Sequence, residues 1–137
     1  MQSSLTILVV EDNPINQLIT TRLLEKAGHS VRLADNGRVA LEMLGHQGFD
    51  LVLMDLSMPE MDGFTATRLI REREVGTSQR LPIVAFTANT VLGERERCTQ
   101  AGMDGFVSKP VDPATLLQVI ADALGRGRPA KGLNETA

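Results

Sequence analysis

Cysteine occurs once in this 137-residue sequence, at Cys98, and tryptophan and tyrosine do not occur at all. A single thiol excludes an internal disulfide and fits a reducing, cytosolic setting. Four phenylalanines are the whole aromatic complement, too few for a platform on which bases could stack. The formal net charge is −3, so there is no basic surplus to hold nucleic acid. No apolar run approaches the length of a membrane span, and no signal peptide is expected before Leu5. Any membrane connection would have to come through other sequence. What remains is 42% hydrophobic and 23% charged, a composition that supports one domain with a core of its own.

The stretch Leu51-Val52-Leu53-Met54-Asp55 is the most informative in the chain. An apolar run this short reads as a strand buried on both faces, and it ends in a carboxylate. A Pro- and Gly-containing turn, Ser57-Met58-Pro59-Glu60-Met61-Asp62-Gly63, follows. Taken alone, Asp55 is either a turn residue or a site. Similar runs start at Leu5-Thr6-Ile7-Leu8-Val9-Val10, Val31-Arg32-Leu33-Ala34, Ile83-Val84-Ala85-Phe86-Thr87 and Phe106-Val107-Ser108-Lys109.

Helical patterns fill the gaps between them. Asn13 and Pro14 are a fit cap and first residue for a helix carrying Ile15, Leu18, Ile19, Leu23 and Ala27, closed by Gly28. Val39, Ala40, Met43 and Leu44 mark a second helix. Ala66, Leu69 and Ile70 face inward on a third, with Arg68, Arg71, Glu72 and Arg73 towards water. Residues 91–101 form a weakly amphipathic fourth with Leu92 and Cys98 as its apolar anchors, and hence low local stability. Asp112 caps a fifth at Pro113, with Leu116, Leu117, Ile120 and Leu124 on its core face. Strand and helix alternate five times, which demands a doubly wound α/β domain with a parallel sheet. It is assigned to residues 1–125, and the Gly-, Arg-, Pro- and Lys-rich residues 126–137 to a flexible tail or linker stub.

In such folds ligands bind beyond the carboxyl ends of the strands. Those ends carry Glu11 and Asp12, Asp55, Thr87 and Lys109. Three crowded carboxylates suit a hard divalent cation such as Mg²⁺. One of them can serve as nucleophile and hold a phosphoryl group as an acyl phosphate. Lys109 and the Thr87 hydroxyl can then neutralise and hydrogen-bond its oxygens.

These residues together resemble the receiver domains of two-component response regulators. The likeness rests on Val9-Val10-Glu11-Asp12-Asn13, Leu53-Met54-Asp55 with Met58-Pro59 and Asp62-Gly63, Thr87-Ala88, and Ser108-Lys109-Pro110, and covers residues 7–124. It implies the sheet order 2-1-3-4-5 and makes Asp55 the phosphoacceptor. It implies Mg²⁺ or Mn²⁺ held by Asp12 directly, by Glu11 through water, by Asp55 and by the Ser57 carbonyl. Thr87 and Phe106 become a switch pair, and Ser57 and Asn89 flank the site where they would influence phosphoryl lifetime. A phosphohistidine of a sensor kinase would be the donor, and a histidine phosphotransfer protein a further partner. Neither nucleic acid nor membrane would be contacted directly. Asp12-Asn13-Pro14-Ile15-Asn16-Gln17, Ala85-Phe86-Thr87-Ala88-Asn89 and Ala101-Gly102-Met103-Asp104-Gly105 are similar to receivers attached to hybrid sensor histidine kinases, placing the domain on the cytoplasmic side. A stand-alone regulator is the alternative.

Other classes fit less well. An aspartate-nucleophile phosphatase would carry a second acid where Ser57 stands. A flavodoxin-like cofactor site needs a hydroxyl- and glycine-rich loop where Glu11 and Asp12 would repel phosphate. A purely structural interaction module has no need of acids, hydroxyl and lysine together. Asp62 and Asp104 read as turn residues, and His29 and His46 lack the spacing of a metal site.

Overall fold

The apolar runs become five parallel strands in the computed structural model, which describes residues 4–56, 63–87, 94–109 and 112–127. Strands β1 (Thr6–Val10), β2 (Ser30–Ala34), β3 (Leu51–Asp55), β4 (Ile83–Thr87) and β5 (Gly105–Ser108) alternate with five helices. These are α1 (Pro14–Lys26), α2 (Gly37–His46), α3 (Gly63–Glu74), α4 (Glu94–Ala101) and α5 (Pro113–Gly127). The order across the sheet is β2-β1-β3-β4-β5, as the resemblance implies. The chain leaves β1 towards one edge and returns to β3 on its other side, so a crevice opens between the ends of β1 and β3.

Strands β3 and β4 are buried at every position because helices cover both faces. Alternate residues therefore feed two separate cores. Ile7, Val9, Leu51, Leu53, Val84 and Phe86 pack with Leu24 of α1 and Leu116, Ile120 and Ala123 of α5. Leu8, Val10, Val52, Met54, Ile83 and Ala85 pack with Ala40 and Leu41 of α2, Ala66 and Ile70 of α3, and Cys98 of α4. The same alternation continues to the strand ends. Asp55 falls on the α1/α5 side with Leu51 and Leu53, and Thr87 on the α3/α4 side with Ile83 and Ala85.

Helix α1 starts as its sequence implies. The Asn13 Oδ1 accepts the N–H groups of Ile15 at 2.8 Å and Asn16 at 3.1 Å, and Pro14 follows as the first helical residue. Gly28 takes φ of 99° after the last turn, a left-handed value that other residues resist. The apolar spacing is only partly a core face, however. Thr20 and Leu24 are buried, whereas Ile15, Leu18 and Ile19 are 68%, 51% and 50% exposed.

Further expectations need correction. Arg71 is not a water-facing residue of α3. Its Nε donates to the Gly102 carbonyl at 2.9 Å, and its two amino groups reach Glu74 at 2.9 Å, the Leu81 carbonyl at 2.8 Å and Asp104 at 2.8 Å. Asp104 is accordingly more than a turn residue: it is buried, also accepts from Arg80 and from the Ile83 N–H, and locks the starts of β4 and β5 together. Helix α5 continues to Gly127, past the boundary expected at residue 125. Leu117 on that helix is 36% exposed, while Leu116 and Ile120 are buried. For α4 the description starts at Glu94, so Val91 and Leu92 lie outside the described residues, and Cys98 is buried as expected.

His29 is buried far from the strand carboxyl ends. Its Nδ1 accepts the Leu5 N–H at 3.1 Å, which fixes the ring as a structural anchor at the start of β1 rather than a phosphotransfer group. No helix among the described residues is long and apolar enough to cross a membrane.

Candidate functional site

Four strand ends deliver the site. Glu11 follows β1 directly, its N–H donating to the Ala34 carbonyl of β2 at 3.0 Å. Its carboxylate is buried beneath the exposed Asp12. Asp55 ends β3 and is 4% exposed. Carboxylate oxygens of Glu11, Asp12 and Asp55 lie within 4.8 Å of one another. Lys109 follows β5, and its N–H donates to the Thr87 carbonyl at 2.8 Å, stapling the lysine to the hydroxyl residue at the end of β4.

The Lys109 ammonium reaches across the crevice. Nζ donates to Glu11 Oε1 at 2.6 Å and to Asp55 Oδ2 at 3.4 Å, and lies 4.9 Å from the centre of the Phe86 ring. Burial acts to raise the Glu11 carboxyl, but the Lys109 hydrogen bond and charge, the Asn13 N–H at 3.1 Å and the contact with Asp55 outweigh it. Glu11 is therefore held below the ordinary carboxylate value and stays ionised. Three carboxylates against one ammonium leave negative charge in excess, all of it on oxygen donors. That is the donor chemistry of a hard divalent cation, and the exposed side of Asp12 leaves it a way in.

The backbone around the acids is tightly built. A Cβ placed on Gly63 would come within 2.5 Å of the Asp55 carbonyl oxygen and 3.0 Å of Met54 Cγ, so only glycine lets α3 begin hard against the end of β3. Gln17 of α1 donates to the Glu11 carbonyl at 2.6 Å and to Asp35 at 3.0 Å, bracing the ends of β1 and β2.

Glu11, Asp12, Asp55 and Lys109 are thus brought together as the sequence implies. Thr87 is buried at the same rim, and Phe106, opposite Ala85 in the sheet register, shares its side of the sheet and packs on the α3/α4 core. Ser57, Asn89 and Pro110 lie outside the described residues. Sequence reasoning missed Gln17 and the contact of Phe86 with Lys109. The second was available in principle, since alternation places Phe86 on the same face as Asp55 and Lys109.

Comparison with known proteins agrees with this geometry. The family described as response regulator receiver domain matches residues 7–121. The hybrid signal transduction protein dokA of Dictyostelium discoideum is 44% identical over 116 residues, which are 85% of this chain and 7% of that protein. The first curated relatives are all far longer, this chain spanning between 5% and 14% of their length. Among solved structures, the receiver domain of sensor histidine kinase PA1611 from Pseudomonas aeruginosa PAO1, with a magnesium ion in its active site cleft, is 39% identical. It superposes with a TM-score of 0.79 over 90% of this chain and 99% of its own. A co-crystal structure of the Saccharomyces cerevisiae histidine phosphotransfer protein Ypd1 with the receiver domain of Ssk1 matches at 29% identity. Its TM-score is 0.81, covering 95% of this chain and 96% of that one. With acids, hydroxyl and lysine at the ends of a 2-1-3-4-5 sheet and a family match along most of its length, the chain belongs to the response regulator receiver domains.

Proposed function

We propose that this domain takes a phosphoryl group from a partner's phosphohistidine onto Asp55. The observation that carries this most directly is Lys109 bridging Glu11 and Asp55 inside the acid cluster. An Asp55 oxygen attacks phosphorus, the phosphorus–nitrogen bond breaks, and the imidazole leaves with the electron pair and takes up a proton. Glu11, Asp12, Asp55 and the Ser57 carbonyl would hold Mg²⁺. When bound, the ion supplies the positive charge that lets an anionic phosphoryl group approach a carboxylate. Lys109 meets the phosphoryl oxygens from the other side. Thr87 then turns towards the new anion and Phe106 follows, changing the face made by α4, β5 and α5.

The donor docks on α1. Its exposed Ile15, Leu18 and Ile19 follow immediately on Asp12 and Asn13 at the mouth of the site, an apolar face suited to a helical phosphohistidine domain. Association of a similar receiver with a histidine phosphotransfer protein supports that partner. The small share of each relative's length that is matched supports a domain set in a longer hybrid kinase on the cytoplasmic side.

Intact mass after incubation with acetyl phosphate and Mg²⁺ tests the acceptor. One phosphoryl increment is expected, lost on omitting Mg²⁺ and absent in Asp55→Asn. An increment that survives Asp55→Asn sinks the assignment. Docking has its own test. Leu18→Asp is expected to slow transfer from a phosphohistidine domain about tenfold or more, as for loss of an interface anchor, while phosphorylation by acetyl phosphate is unchanged. Equal loss with both donors would remove α1 from the interface.

A further inference from the structure

We propose that Phe86 is a positioning residue for Lys109: the face of its ring holds the ammonium level with Asp55, aimed at the incoming phosphoryl oxygens. The inference rests on the phosphoacceptor assignment above and adds to it a residue that touches neither phosphate nor metal.

Lys109 has three N–H bonds to place and little water to place them in, since its side chain is 13% exposed. One contact, to Glu11 at 2.6 Å, is short; the other, to Asp55 at 3.4 Å, is long. The Phe86 ring completes the surroundings, its centre 4.9 Å from Nζ. That lies inside the roughly 6 Å range at which a ring's negative face attracts a cation, and the attraction grows when water is excluded. Phe86 is 2% exposed and cannot swing away. In the register it stands between Asp55 on β3 and Val107 on β5, so the sheet itself presents the ring to the lysine.

The geometry also says why a ring is useful here. Glu11 and Asp55 also belong to the acid cluster that a divalent cation would claim, so Lys109 shares its two acid partners with a competitor. A phenyl face offers no oxygen donor, so a divalent cation that keeps its oxygen ligands does not compete with Lys109 for it. It is the contact that stays with Lys109 when its carboxylate partners are engaged elsewhere. An aliphatic side chain of similar volume would fill the same core space without supplying a negative face.

Site-specific replacement of Phe86 by mono-, di- and trifluorinated phenylalanine keeps the shape and progressively weakens the ring's negative face. Two readouts are taken: the Lys109 Hε resonances in metal-free protein, and the rate of phosphoryl acceptance from acetyl phosphate with Mg²⁺. The chain has three lysines, Lys26, Lys109 and Lys131, so Lys109→Met assigns the signal. The wild-type resonance is expected upfield, as for protons above a ring, and at its ordinary position in Phe86→Leu. The rate is expected to fall stepwise with fluorination, by about tenfold in all for a largely desolvated contact. In a Lys109→Met background the same series should be flat.

An unshifted Lys109 resonance, a flat series in the wild-type background, or an equal decline without Lys109 each overturns the proposal. The last would leave only a packing role. Should Phe86→Leu fold poorly, Phe86→Met supplies the ring-free reference. A wild-type protein that accepts no phosphoryl group would instead sink the acceptor assignment and take this inference with it, whereas acceptance with a flat series sinks this inference alone.

Discussion

Lys109→Met is expected to slow phosphoryl acceptance on Asp55 about a hundredfold, the usual loss when one preorganised charge partner is taken from a transferring group. The expectation follows from how much converges on one ammonium: Glu11 at 2.6 Å, Asp55 at 3.4 Å and the Phe86 face. Methionine keeps much of the stem's volume and removes the charge together with the N–H donors. Two buried carboxylates then face each other without a cation, at a cost of about 3 kcal/mol in metal-free buffer. Mg²⁺ should return more stability to the variant than to the wild type, since nothing competes with it for the acids. Urea midpoints with and without Mg²⁺ measure this, beside phosphorylation rates by intact mass. Equal Mg²⁺ effects on both proteins would show that Lys109 does not screen the cluster.

The acid side of the stability profile carries a matching sign. Glu11 is depressed in the folded protein against burial, with Lys109 the foremost cause. In the window between that lowered value and the ordinary carboxylate range, the unfolded chain binds more protons than the folded one. Stability therefore rises with pH across the window, is fully present above it, and is lost as pH falls through the folded value. Without Lys109 the depression shrinks, and the rise with pH should flatten.

The second large effect is expected far from the site. Arg71→Met should cost about 3–5 kcal/mol, the range for removing one partner from a buried ion pair. Arg71 is 14% exposed and makes four hydrogen bonds, to Gly102, Glu74, Leu81 and Asp104. Arg80 still reaches Asp104 in the variant, but from a 39% exposed position where water weakens it. Lysine should recover little, because one ammonium cannot address four acceptors spread across a planar fork. The cluster ties the segment after α4 to α3, so hydrogen exchange in residues 94–101 should rise with the loss of stability. Phosphorylation by acetyl phosphate should persist wherever the variant is folded. Unchanged exchange in α4 would restrict Arg71 to joining α3 and the start of β4.

Strand ends were easy to read in this sequence because each is a sharp change from buried β-branched or leucine-rich residues to a charged or hydroxyl residue. Asp55, Lys109 and Thr87 stand at such changes, and the parallel topology then assembles them without further information. Helix α1 was harder. Spacing shows that Ile15, Leu18 and Ile19 share a stripe with buried neighbours, but the width of the covering sheet decides which of them it reaches. Arg71 gave no signal at all, because its partners Gly102 and Asp104 lie more than thirty positions onward and a helical arginine three residues from Glu74 looks like an ordinary surface pair. Phe86 was concealed differently. A phenylalanine in a buried strand satisfies every core expectation, and its second contact depends on the exact reach of Lys109.

The two-sided sheet has a consequence for how such domains can diverge. Asp55, Phe86 and Lys109 belong to one side of it, whereas Thr87 and Phe106 belong to the other, and the backbone bond between Lys109 and Thr87 joins the two. The sheet acts as a partition whose two sides are linked at the rim by that bond. Lineages could therefore redraw the readout wall, its helices and loops, while the reaction chamber behind it stayed as it was. Transplanting α4 and the outward residues of α5 between receivers should carry the audience of the signal across and leave its chemistry at home.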